Sequence, residues 1–130
     1  MTIQATWQPS QGSTICNLTN GNANWQADLD ASAGGSPQYP SPHDLLDSAL
    51  AACTVLTLQL YAKRKNYEVE SIHASVTHEE ANGRYAMKRE VRVTGKLDAR
   101  ILDDLLRVAN KCPVHKSLSA EIVIDTTLSS

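Results

Sequence analysis

Apolar and polar residues alternate over the first thirty positions. The runs Thr2-Ile3-Gln4-Ala5-Thr6-Trp7, Ser13-Thr14-Ile15-Cys16-Asn17-Leu18 and Asn24-Trp25-Gln26-Ala27-Asp28-Leu29 carry the two-residue period of half-buried strands. Asn20-Gly21 between the last two suits a hairpin turn, whose central positions need positive φ. Residues Ala31 to Pro42 hold two glycines and three prolines and read as a loop. The pattern then changes. From Pro42 to Lys65 apolar side chains occupy nearly every face, with small residues at Ala49, Ala51 and Ala52. Ser41 is placed as N-cap, Pro42 as the first helical residue, and Asp44 closes a capping box from three positions on.

A helix that is apolar all round is expected to be buried all round. One chain of this length has little material to cover it, so the pattern predicts a dimer. Alternation returns in Val69 to Glu79 and Tyr85 to Leu97, joined by a turn at Ala81-Asn82-Gly83. Asp98 caps a second helix with Ile101, Leu102, Leu105, Leu106, Val108 and Ala109 directed inward. Pro113 ends that helix or restarts it. Ala120 to Asp125 is expected as a last strand through Ile122 and Ile124. The order βββ–α–ββ–α–β is that of an α+β fold.

The 130 residues suit one domain, 1–130, and 42% hydrophobic with 20% charged residues is an ordinary globular mixture. A net charge of -2 gives no bulk attraction to nucleic acid or an acidic membrane. The run Lys63-Arg64-Lys65 reads as a solvated helix end. Met1 to Ser10 lacks the basic start and apolar stretch of a signal peptide. Leu45 to Ala62 carries Asp47, Ser48, Thr54, Thr57 and Gln59, which argues for a core helix over a bilayer span. A cytoplasmic protein is expected.

Three cysteines without a C-x-x-C pair argue against a disulfide framework, a thioredoxin-type motif or a zinc ribbon. Cys53 sits mid-helix, where it is either a core thiol or a thiolate with a partner from elsewhere. Cys112 precedes Pro113, and becomes the N-cap of any helix restarting there. It is then either a simple cap or a thiol activated by free N–H groups, His115, Lys111 or Lys116. Cys16 reads as core. His43, His73 and His78 read as surface, and capping alone accounts for Asp44. A zinc set of Cys53, Cys112, His115 and His43 is a conceivable competitor.

Two segments carry a resemblance. Ser41-Pro42-His43-Asp44-Leu45-Leu46-Asp47-Ser48-Ala49-Leu50-Ala51-Ala52-Cys53-Thr54 is similar to the Pro-x-x-Leu-Leu-x-Ala-Leu-x-x-Cys helix of the OsmC/Ohr family. Leu105 to Leu118, with Lys111-Cys112-Pro113-Val114-His115-Lys116, is similar to its Cys-Pro-x-x-x-x-Leu segment. Leu56 to Lys65 resembles the OsmC-like branch. The resemblance implies the OsmC-like fold in an intertwined homodimer, with the long helices central and active sites at the interface. It implies that organic hydroperoxides are reduced in oxidative or osmotic stress defence. Cys53 would become a sulfenic acid, Cys112 would resolve it, and an external dithiol would reduce the disulfide without a bound cofactor or metal. Asp44 would match the acidic position of the OsmC-like branch. The Ohr branch also uses an early-loop Arg to hold its thiolate. No Arg precedes Arg64 here, which leaves Arg89 and Arg92 as the candidates from the strand pair. A protein of the same fold that binds a small apolar ligand, with redox-sensing or inert cysteines, is the alternative.

Overall fold

The computed structural model describes residues 2–130. It contains strands β1 (Gln4–Thr6), β2 (Cys16–Thr19) and β3 (Asn24–Ala27), helix α1 (Pro42–Lys65), strands β4 (Glu68–Ala81) and β5 (Arg84–Lys96), and helices α2 (Ala99–Ala109) and α3 (Pro113–Ser119). The α+β class and the antiparallel sheets are as expected. The chain forms two compact units, Met1–Leu46 and Asp47–Ser130.

In the first unit β1, β2 and β3 form an antiparallel sheet in that order, with Leu18 opposite both Ala5 and Trp25. The β2–β3 connection is longer than the expected two-residue turn. Asn20 keeps a negative φ and uses its side chain instead: Oδ1 accepts the N–H groups of Asn22 and Ala23 at 2.9 and 2.7 Å. The proline-rich loop contains a 3-10 turn at Ala31–Ala33, capped by Asp30 through the Ser32 N–H. It is tied down by the buried Asp28, which accepts the N–H groups of Ser36 at 2.9 Å and Leu29 at 2.7 Å. Ser41 and Asp44 then form the capping box: Asp44 N–H donates to Ser41 Oγ at 3.1 Å, and Ser41 N–H donates to Asp44 Oδ2 at 3.0 Å. Cys16 opens β2 and is half-buried, not core.

The second unit carries the main core. Leu58 and Ala62 of α1 pack with Leu105, Val108 and Ala109 of α2, against the inward side chains Ile72, Val91 and Val93 of the long hairpin. The hairpin turn is as expected, because Asn82 at φ 55° and Gly83 at φ 73° both occupy the left-handed region that a two-residue turn needs. At its other end a bulge lies between Val69 and Ser71. There Gly95 has φ 140°, and a Cβ would meet the Glu68 carbonyl oxygen at 2.1 Å.

Three expectations change. Within one chain α1 buries a single stripe, Leu50, Thr54, Leu58 and Ala62 at four-residue spacing, and Leu56 and Leu60 stay exposed. Its length and hydropathy would suffice to cross a membrane, yet this stripe is packed against protein. On α2, Leu102 and Leu106 point outward although they fit the apolar pattern, because one face is all that a two-layer packing covers. The last strand does not form, so the order becomes βββ–α–ββ–α–α. Residues 120–130 pair with no strand, and Ile122, Val123 and Ile124 are exposed, since alternation supplies a face but no partner edge.

Candidate functional site

Helix α3 is what assembles the site. Its short length and its start at Pro113 leave first-turn N–H groups free of helical partners. Cys112 is its N-cap, with Sγ accepting the His115 N–H at 3.4 Å. The adjacent Val114 N–H reaches across to Cys53 Sγ on α1 at 3.5 Å. One helical turn thus serves both sulfurs. The partner that mid-helix Cys53 lacks on its own helix is supplied from 61 residues away. Thr57, one turn along α1, lies 3.8 Å from Cys53 Sγ. Cys112 is fully buried and Cys53 half-buried; both thiols are free.

Burial pushes the Cys53 thiol up. The Val114 N–H, the Thr57 hydroxyl, the Cys112 thiol and the Arg89 charge outweigh it, and the thiol lies below its ordinary value of 9.0.

Arg89 is the cation of the site. It shares a strand face with Met87, Val91 and Val93, whereas Arg92 lies on the opposite, exposed face of β5. Its Nη1 donates to Thr54 Oγ1 at 3.1 Å and Cys112 Sγ at 3.8 Å. Its Nη2 donates to Asn110 Oδ1 at 3.1 Å and His115 Nδ1 at 3.0 Å. The fork therefore holds α1, α2 and α3 around the buried sulfur. Beside it lies an open cavity of about 480 Å³, walled by Leu50, Tyr85, Met87 and Leu118, with Arg89 and His115 on its lining.

Cys53, Cys112 and Arg89 are thus brought together. Asp44 belongs to the other unit, where the bonds it makes are those of a cap. His43 and His73 are exposed, as expected. His78, expected at the surface, is half-buried and engaged. It stacks on Tyr85 with ring centroids 4.7 Å apart, and its Nδ1 bonds Asp47, which also accepts the Tyr85 hydroxyl at 2.6 Å. Thr54, Asn110 and His115 as partners of Arg89 were not anticipated, and the parity of Arg89 with Met87 and Val91 was the signal available. Among the described residues no three His, Cys, Asp or Glu side chains are grouped to hold a metal ion. The fork donating to His115 Nδ1 also removes that nitrogen from any ligand set.

The sequence pattern described as OsmC-like protein matches residues 34–127. "Peroxiredoxin OsmC" of Escherichia coli (strain K12) is 33% identical over 98 residues, which is 69% of this chain and 68% of the relative. A putative osmotic stress induced and detoxification response protein from Psychrobacter arcticus 273-4 superposes with a TM-score of 0.72 at 24% identity, over 90% of this chain and 87% of that one. An organic hydroperoxide resistance protein from Elizabethkingia anophelis, crystallised with thiocyanate bound, does so with a TM-score of 0.65 at 21% identity, over 92% and 89%. The match over most of the chain, together with a curated relative at this identity, places the protein in the OsmC/Ohr family.

Proposed function

We propose that this protein is a thiol-dependent reductase of organic hydroperoxides, with Cys53 as the peroxidatic residue and Cys112 as the resolving one. The observation that carries the reading is the shared turn of α3, whose neighbouring N–H groups bind one sulfur each while Arg89 stands beside them. The peroxide-related name of the Escherichia coli relative points to the same chemistry.

In the cycle, the Cys53 thiolate attacks the outer peroxide oxygen. An S–O bond forms, the O–O bond breaks, and the alkoxide leaves and is protonated to the alcohol. Sulfur is oxidised to the sulfenic acid and the peroxide is reduced. The Cys112 thiol then displaces water from that sulfenic acid to give a disulfide, which protects Cys53 from further oxidation. An external dithiol restores both thiols by two exchange steps. Arg89 takes the place of the early-loop arginine of the Ohr branch. The apolar wall of Leu50, Met87 and Leu118 suits an organic peroxide better than hydrogen peroxide. A homodimer belongs to this reading, supported by the exposed leucines Leu56, Leu60, Leu102 and Leu106, and a cytoplasmic location is proposed with it.

The test is consumption of cumene hydroperoxide with a dithiol reductant, comparing the wild type with Cys53→Ser. Turnover that vanishes in the variant is the expected result. A wild type no faster than the variant sinks the reading and leaves a ligand-binding role for the cavity.

A further inference from the structure

The reductase reading leaves one group at the cavity without a task. Arginine has donors only, so the contact of 3.0 Å between Arg89 Nη2 and His115 Nδ1 requires a lone pair on Nδ1. A neutral imidazole then carries its proton on Nε2. His115 lines the cavity, and its own backbone N–H is on Cys112 Sγ while that of its neighbour Val114 is on Cys53 Sγ. The ring is thus fixed in one tautomer at the wall of that cavity, one residue from the N–H that holds the Cys53 sulfur. Packing alone would not need the orientation that Arg89 imposes.

We propose that His115 is a catalytic residue, donating its Nε2–H to the departing oxygen of the hydroperoxide. This rests on the reductase reading above. As Cys53 sulfur bonds to the outer oxygen and the O–O bond breaks, negative charge collects on the inner oxygen. The Nε2–H hydrogen-bonds that oxygen and lowers the barrier, as donors do wherever charge develops in a transition state. The alkoxide then takes a proton from water, and the hydroxide left behind neutralises the proton that Cys53 released on ionising. His115 ends the step in its starting state. A poor leaving group needs this help, and a good one does not. The residue therefore widens the range of usable peroxides toward dialkyl carbinol and tertiary alkyl types, whose alcohols are weakly acidic.

Two variants separate the roles of the ring nitrogens. His115→Asn offers an acceptor near the position of Nδ1 for Arg89 and lacks the distal donor. His115→Gln can place an amide N–H near the position of Nε2. The rate of Cys53 sulfenic acid formation is measured in single turnover with tert-butyl hydroperoxide, cumene hydroperoxide and peracetic acid. The alkylation rate of Cys53 by iodoacetamide reports thiolate formation separately. The expected result for His115→Asn is a loss on the order of 100-fold with tert-butyl hydroperoxide, a size typical of one lost transition-state donor. The loss should shrink with cumene hydroperoxide and vanish with peracetic acid, with alkylation unchanged. His115→Gln should recover most of the rate. Equal slowing with all three oxidants, or no slowing, overturns the role of His115 while the reductase stands. A wild type that consumes none of the three overturns the reductase reading and this inference together.

Discussion

Two charged side chains hold the second unit together, and they are surrounded in opposite ways. Asp104 on α2 accepts the hydroxyls of Tyr61 and Tyr67, each at 2.7 Å, and is paired with Arg107 at 2.6 Å. The Tyr67 hydroxyl, Arg107 and Tyr61 hold its carboxyl well below the ordinary value of 3.8. Its charge is matched where it stands. Arg89 is bound as fully, but among the described residues its partners are a hydroxyl, an amide oxygen, an imidazole nitrogen and a thiol. None of them carries an opposite charge in its ordinary state. A neutralised charge fastens α1 to α2. A charge that is anchored but unmatched remains able to stabilise an anion that forms beside it.

The sharpest way to break this contrast is Arg89→Met. Iodoacetamide alkylation of Cys53 should have its midpoint below pH 9.0 in the wild type, as the lowered thiol requires. The variant's midpoint should rise, and its rate at pH 7 should fall, because one of the groups that lower the thiol has gone. Arg89→Lys should recover only part of the loss, because an ammonium lacks the planar fork that serves four acceptors. An unchanged profile in Arg89→Met would deny Arg89 its role. A smaller effect, and on stability only, is expected of Asp104→Asn. Its melting temperature should be lower at neutral pH, with Cys53 alkylation unaltered. Because the folded carboxyl lies below its unfolded value, the stabilisation is complete above that value and fades as pH falls through the folded one. The gap between the two proteins should therefore be constant above about pH 4 and begin to narrow only below it, as pH falls toward the folded value. A gap that keeps its width below that pH as well would mean that the charge of Asp104 adds nothing.

The same two clusters show what the sequence could and could not disclose. Features set by a few neighbouring residues were legible. Helix α1 begins and ends at the expected residues because Ser41, Pro42 and Asp44 fix its start locally. The Asn82-Gly83 turn was legible because few residues accept positive φ. The cysteine motifs were readable through the family they resemble. Features needing a partner from far along the chain were not. Ala120 to Asp125 alternates like a strand, but whether an edge awaits it is a property of the whole fold. Leu102 and Leu106 match the helical period of Leu105 and remain outside. His78 sits in an ordinary strand position, and only the packing brings Asp47 to it. Arg89 was half legible: its parity put it on the inward face, but that its fork would meet Asn110 and His115 required the placement of α3.

The unequal burial of the two sulfurs gives the proposed cycle a direction. Cys112 is enclosed completely, and Cys53 keeps part of its surface open. On the proposed cycle a reductant attacks at the more exposed cysteine, Cys53, and Cys112 is the leaving thiolate. Arg89 and the His115 N–H are already in place to receive that thiolate, which makes its expulsion faster. Acid-quenching the oxidised protein with a slow monothiol should therefore leave the added mass on the peptide of Cys53, and an adduct on Cys112 would contradict this route. In that cycle donor choice depends on the surroundings of the half-buried cysteine, while the fully buried one serves only to leave and return.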